Sequence, residues 1–204
     1  MAVITFPDDM KIGKFAWGPL RRDVNFDSVF GSQAVGVSAP KWRASIAQSV
    51  LKDAGIGAWQ ALALDLEGGV NQLALWNVMR PAPLGTMRGT MTLSANAAQG
   101  AISMQIDAAG EVAKTLLKGD LLGLGSGMTQ QVVVLTADAQ SDGTGRITVS
   151  FKHPLRNAFA LGAAVAWDKP KALFRNISGT SPWEYGQGKV VSGIALDLVE
   201  DWRA

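Results

Sequence analysis

The apolar residues of this chain fall into many short runs, and within most runs apolar and polar positions alternate. Between Trp42 and Val50 every second residue falls on one face, and only Gln48 on that face is polar. A two-residue period of this kind predicts a half-buried β-strand. Glycine (23 residues) and proline (8 residues) separate the runs. This punctuation favours a mostly β chain, built from sandwich or barrel modules, over a helical bundle.

One segment, about 53–67, has helical periodicity instead. Asp53 is placed to cap its N-terminus, and Gly68-Gly69 is placed to end it in a left-handed turn. Its apolar stripe recurs at three- and four-residue spacing, which predicts a face packed on the core. The stripe consists of Trp59, Leu62, Ala63 and Leu66.

Further alternating runs predict strands along the rest of the chain. They lie at 70–78, 90–95, 101–107, 121–124, 131–137, 146–151, 163–167, 173–177 and 190–199. The prolines of 81–85 interrupt a central strand and predict a module boundary there. Between two of the strands, Asp142-Gly143 predicts a hairpin turn in which Gly143 adopts a positive φ.

Residues 1–40 form a stretch that we expect to be a mostly irregular N-terminal arm, with a weak strand pattern at 35–38. Trp17, Phe26 and Phe30 stand there among polar residues and glycines. Large apolar side chains in such an arm pack either on the core of their own chain or on a neighbouring subunit. The sequence leaves both alternatives open.

Composition and charge exclude several classes of function. The chain has 204 residues, a net charge of +2 and no cysteine, which excludes disulfides and thiolate sites. Its basic residues are scattered rather than clustered, so we expect no nucleic-acid binding. The first residues carry acids in place of the positive charge of a signal peptide, and no apolar run reaches the roughly 18 residues of a membrane span. We therefore expect no membrane partner.

The residues that carry chemistry do not assemble into a known motif. His153 is the single histidine and lies beside Pro154, where a structural role is the simpler interpretation. The glycine-rich segment 123–127 lacks the ending of a phosphate loop and fits a tight turn. Asp138 and Asp142 are too few for a calcium loop. We predict no catalytic residue, cofactor or metal site, and hence no enzyme.

Aromatic residues outside the core stripes are candidates for contacts between subunits, because aromatics contribute much of the binding energy at interfaces. Ordinary burial is an equally good interpretation of the tryptophans among them. Together with the two phenylalanines of the arm, the candidates are Trp17, Phe26, Phe30, Trp167, Trp183 and Trp202.

From Trp42 onward, the order of segments resembles the distal tail proteins of tailed bacteriophages. The opening strand 42–46, the helix around 59–62 and the step 66–73 into the next strand are similar to that family. The most specific part is Leu116-Leu117-Lys118-Gly119-Asp120-Leu121-Leu122-Gly123-Leu124-Gly125. It is followed by 132–138, Asp142-Gly143-Thr144-Gly145 and Pro154-Leu155-Arg156. Phe174-Arg175 and the closing 198–202 complete the shared order.

The resemblance implies a structural protein of the phage tail that forms a ring, commonly a hexamer, and links the tail tube to hub or fibre proteins. It would be made in the bacterial cytoplasm and reside in the virion. The implied modules are a β-sandwich with the helix, residues 41–84 plus 180–204, and an inserted or second β-barrel-like module, residues 88–178. The arm 1–40 is one means of forming a self-closing interface between subunits.

Two alternatives remain at this point. The first is a fibre-hub or adaptor protein of a short-tailed phage, which differs from the ring protein in its partners. The second, from another class, is a carbohydrate-binding β-sandwich, which requires a cluster of tryptophans on one exposed face.

Overall fold

A computed structural model describes residues 2–36, 39–49, 51–52, 54–178, 183–187 and 190–202. Over these ranges the chain is mostly β with one α-helix, as predicted. The helix is α1 (Ala54–Asp65). The strands are β1 (Val3–Thr5), β2 (Ile12–Leu20), β3 (Asp23–Ser28), β4 (Gly31–Gly36), β5 (Lys41–Gln48), β6 (Leu51–Lys52), β7 (Gln72–Trp76), β8 (Met91–Leu93), β9 (Ser103–Ala108), β10 (Thr115–Leu116), β11 (Leu121–Leu124), β12 (Gln131–Val134), β13 (Ala139–Gln140), β14 (Arg146–Ser150), β15 (Ala164–Ala166), β16 (Lys171–Asn176), β17 (Glu184–Gly186), β18 (Val190–Ser192) and β19 (Ala195–Glu200).

The chain divides into two compact units. Unit 1 contains residues 1–6, 72–174 and 201–204, and unit 2 contains residues 7–71 and 175–200. The division expected from the sequence, into an arm (1–40), a β-sandwich module (41–84 plus 180–204) and a β-barrel-like module (88–178), stays a prediction.

The larger part of unit 1 is an antiparallel sheet in the order β12-β11-β15-β8-β9-β14. A bridge between Leu135 and Phe151 joins the two outer strands, so the sheet curls into a barrel-like form. The inward side chains alternate with outward ones along β14, as in the buried Ile147 and Val149, whereas every residue of β11 is buried. They form one apolar core that includes Met91, Ile106, Leu122, Val133 and Phe151.

A second set of strands in unit 1 has the order β1-β7-β16. The β1–β7 pair is parallel and the β7–β16 pair is antiparallel. The buried rings of Phe6 and Trp76 meet edge to face, with centroids 5.6 Å apart. The ammonium groups of Lys169 and Lys171 lie 5.3 and 5.7 Å from the centroid of the Trp76 ring, within cation–π range.

The side chain of Asp120 connects the loop at residues 84–85 with Leu117 and with Arg80. Its side chain is fully buried and accepts hydrogen bonds from the backbone N–H groups of Leu84, Gly85 and Leu117, at 2.7, 3.1 and 2.7 Å. The Arg80 guanidinium lies 3.8 Å from the same carboxylate. Because three donors are satisfied by one side chain, we expect Asp120 to be a main support of this region.

In unit 2, the strand order is β19-β5-β2, with both pairs antiparallel. The predicted alternation of the opening strand is confirmed, because Trp42, Ala44 and Ile46 are buried. Unit 2 also contains a small sheet in the order β17-β18-β6. The β3–β4 pair forms a separate two-stranded sheet.

The predicted helix stripe is also confirmed for Trp59, Leu62 and Leu66, which are buried, while Ala63 is half-buried. The helix ends at Asp65, slightly before the predicted end, and the left-handed residues that follow it are Glu67 (φ +45°) and the predicted Gly68 (φ +71°). The predicted cap at Asp53 lies outside the described residues.

The expectation of a mostly irregular arm over 1–40 is wrong. β1 and β2 are hydrogen-bonded to β7 and β5, and β3 pairs with β4. Strand order is decided by long-range pairing, which a weak local pattern does not reveal. Of the weak strand predicted at 35–38, residues 35–36 belong to β4 and residues 37–38 are outside the described part.

The turn after β13 is present, but the predicted conformation of Gly143 is wrong. The positive φ belongs to Gly145, at +88°, and not to Gly143. The Asp142 side chain accepts hydrogen bonds from the N–H groups of Thr144 and Arg146, and the Gly145 N–H donates to the Asp142 carbonyl at 3.1 Å. The Asp142 side chain therefore stabilises this chain reversal, and the residue with the left-handed conformation is Gly145, at the end of the turn.

Candidate assembly surface

The β3–β4 hairpin, residues 23–36, is a long exposed strand pair in the described part of the chain. Every residue of both strands is exposed, and the two strands form a sheet of their own. Ser28 faces Gly31 in the register, which leaves Val29 and Phe30 as a two-residue loop. The Ser28 hydroxyl donates to the Gly31 carbonyl at 3.0 Å and accepts the Phe30 N–H at 3.3 Å, so the loop is held by its own side chain.

The hairpin has one apolar and one polar face. Val24 is opposite Val35 and Phe26 is opposite Gln33 in the register, so these four side chains share a face. Asp23, Asn25 and Asp27 point to the other face. The alternation is that of a strand pair which buries one side, although neither side is buried in the isolated chain.

The tip concentrates the exposed apolar surface. Phe30 is 100% exposed, Val29 is 96% exposed and Phe26 is 60% exposed. An isolated two-stranded hairpin is only marginally stable in water, and exposed apolar patches on structured segments mark interaction sites. The hairpin is therefore a candidate interaction surface.

Trp17, a further candidate from the sequence, lies on β2. Its ring centroid is 5.7 Å from that of Trp42 and 6.3 Å from that of Phe15, and the side chain is half-buried. It contributes to the packing of its own unit rather than to an exposed patch.

A shallow groove of about 280 Å³ lies beside Trp17, lined by residues 16–19 of β2 and 43–45 of β5. Gly18 is opposite Arg43 in the strand register, so both share a face. A Cβ atom built at Gly18 meets nothing within 4 Å, which leaves open space above this position. We call this feature the Gly18 groove.

The other three candidate tryptophans are half-buried. The Trp167 indole N–H donates to the Gly89 carbonyl at 3.0 Å, and the Arg88 guanidinium carbon lies 5.4 Å from the ring centroid. The Arg156 guanidinium carbon lies 5.1 Å from the centroid of the Trp202 ring. The structure thus brings Phe26 and Phe30 together on one hairpin, and it engages Trp167 and Trp202 in contacts within unit 1.

Sequence inspection missed Val24, Val29 and Val35 as members of the same surface. The sequence contains a signal for this hairpin, because Val24 and Phe26 alternate with polar residues, as in a strand. Ser28 and Gly31, two residues typical of turns, then flank Val29 and Phe30. The signal was weak since nothing local indicated that both strand faces would stay exposed.

The residues that the sequence analysis considered for phosphate, metal or catalytic chemistry lie outside the hairpin. Residues 123–124 of the glycine-rich segment belong to β11, and residues 125–127 begin the connection to β12, which contains a short 3-10 helix (Gly127–Thr129); Gly125 has a φ of +78°. His153 is half-buried. Hydrogen bonds from the Thr144 hydroxyl, and then from the backbone N–H groups of Thr144 and Arg146, lower the pKa of Asp142.

Within the described ranges, no group of three or more histidine, aspartate or glutamate side chains is placed to hold a metal ion. No helix in the same ranges is long and apolar enough to cross a membrane.

No family model matches the chain, and no curated protein matches its sequence.

Proposed function

We propose that this chain is a non-enzymatic structural component of a bacteriophage tail, a ring-forming protein of the distal-tail type that links the tail tube to hub or fibre proteins. The order of sequence segments from Trp42 to Trp202, centred on Leu116–Gly125, supports the family. Its partners are further copies of itself, in a ring of about six as the resemblance implies, and other tail proteins. Its location is the tail of the virion, after synthesis in the bacterial cytoplasm.

The observation that carries the structural role is the exposed apolar hairpin. A chain with Phe30 fully exposed and Phe26 60% exposed carries apolar surface that an assembly would bury. Barrel and sandwich modules are rigid carriers for such a surface, which suits a component whose function is to hold neighbours at fixed positions.

The carbohydrate-binding alternative finds less support. It requires tryptophans on one exposed face, whereas all seven tryptophans lie within the described ranges and each is buried or half-buried. The second alternative, an adaptor protein of a short-tailed phage, is also non-enzymatic and differs from the ring protein in its partners. The labelling experiment described next distinguishes the two.

The test is the position of the protein in particles of the phage whose genome encodes it. Antibodies against the purified chain, coupled to gold, are expected to label the distal end of a long tail in electron micrographs. Labelling at the collar of a short tail would favour the adaptor, and particles that carry no label would contradict the proposal. Light scattering and negative staining of the purified chain add the copy number, with closed rings of about six subunits expected.

A further inference from the structure

We infer that the tip of the β3–β4 hairpin inserts into the Gly18 groove of a second copy of this chain, with Phe30 filling the groove and Asp27 facing Arg43. The inference deepens the proposed ring and rests on it for its biological role. Its physical basis is the complementarity of two surfaces on the same chain.

Charge is the first argument for a second copy as the occupant. The hairpin contains two aspartates, Asp23 and Asp27, and no lysine or arginine. The chain as a whole is +2 and the hairpin is −2, so the rest of the chain carries +4. An acidic arm on a basic body is attracted to the body of another copy.

The ion pairs already formed within the chain indicate which charged residues are available for a contact between copies. Asp23 is 3.2 Å from Arg21 and is already paired. Asp27 is nearer the tip, and it takes part in no ion pair of the described residues. Arg43 at the groove is exposed, and in the same ranges it too belongs to no ion pair. Each surface thus presents one unpaired charge, of opposite sign, beside apolar atoms.

Shape is the second argument. Ala16 and Ser45 share the Gly18 and Arg43 face in the strand register, and Trp17, Pro19 and Ala44, whose side chains alternate to the other face, contribute strand backbone to the groove. The missing side chain at Gly18 leaves the space that an aromatic ring needs. Phe30 is fully exposed within its own chain, so it is available to another copy.

The geometry of such a contact agrees with a ring. The hairpin tip and the groove are different surfaces, so each copy donates a tip to one neighbour and accepts a tip from the other. This is a heterologous interface, which closes into a ring when the rotation between copies allows it.

The first experiment measures self-association of the full chain by sedimentation velocity across a range of concentrations. Phe30→Ser removes the ring from the tip, and Gly18→Phe fills the groove from within. Each variant is expected to weaken association about thirtyfold or more, as for an aromatic residue at the centre of an interface. Gly143→Phe and Leu161→Ser are the controls, because Gly143 also has open space around it and Leu161 is 66% exposed. A wild-type chain that is monomeric at every concentration would overturn the inference.

The second experiment uses charge reversal, which leaves the groove open and does not depend on the folding of Gly18→Phe. Asp27→Lys and Arg43→Asp are each expected to weaken association about tenfold. The double variant is expected to regain most of the loss, because the pair is restored with its signs exchanged. Losses that simply add in the double variant would overturn the Asp27–Arg43 contact.

A mixing experiment distinguishes this interface from a contact between two hairpins. Phe30→Ser retains an intact groove, and Gly18→Phe retains an intact tip. Their mixture is expected to give one-to-one dimers and nothing larger, while each variant alone stays monomeric. A mixture that stays monomeric overturns the inference. Gold labelling of tails in that case would leave the proposed tail function standing, so the two failures are distinguishable.

Discussion

The Asp120 carboxylate accepts hydrogen bonds from three backbone N–H groups that lie in two separate loops. Replacement by alanine removes all three acceptors and leaves Arg80 without the carboxylate 3.8 Å away. The side chain is fully buried and the Gly85 bond is buried as well, so water replaces the lost bonds only in part. Asp120→Ala is therefore expected to destabilise unit 1 strongly.

The magnitude follows from the three donors. A buried donor left without its acceptor costs about 1–3 kcal/mol, and two of these three bonds are only partly buried, so we expect a loss of about 3–5 kcal/mol. For a chain of this size, about 2–4 °C in Tm accompanies each kcal/mol, which predicts a fall of roughly 10 °C. Asp120→Asn retains one acceptor oxygen and is expected to lose about half as much free energy of unfolding.

The assay is thermal unfolding followed by circular dichroism, with Asp138→Ala as the matched control. Asp138 is exposed and accepts a single backbone hydrogen bond from Lys118, at 2.7 Å. The control is expected to cost about 1 kcal/mol or less. If Asp120→Ala and Asp138→Ala lowered the Tm equally, the assignment of Asp120 as a central support would be refuted.

Two further predictions concern the turn after β13. Gly145→Ala is expected to destabilise by more than about 2 kcal/mol, because a Cβ there is strained at positive φ and overlaps the Ala108 carbonyl oxygen, whereas Gly143→Ala stays within about 0.5 kcal/mol. Equal urea midpoints for the two variants would contradict this. The lowered pKa of Asp142 means that its contribution is present above the ordinary value of 3.8 and is lost as pH falls through the lower folded value. The Tm difference between the wild type and Asp142→Ala should therefore shrink below pH 3.8, and a difference that is constant from pH 7 to pH 2 would count against it.

Much of the fold was predictable from local patterns. The alternation after Trp42, the strand at Leu121–Leu124 and the left-handed Gly68 after the helix are all present in the structure. Each depends on a property that neighbouring residues determine together, namely side-chain periodicity or the conformational freedom of glycine. Phe26 and Phe30 were candidates for the same kind of reason, since large apolar residues in a polar setting are unusual wherever they lie.

Other features depended on residues distant in sequence, and only the tertiary structure decided them. The sequence by itself determined that the chain is mostly β, that the strand after Trp42 alternates and that one helix lies between that strand and Gly68. Tertiary structure decided that β2 joins β5, that Asp120 binds a loop about 35 residues away and that Gly18 lies over open space opposite Arg43. It also decided that the β3–β4 hairpin keeps both faces exposed. The physical reason is that periodicity records which face of a strand is apolar, while strand pairing and packing determine which surface, if any, covers that face.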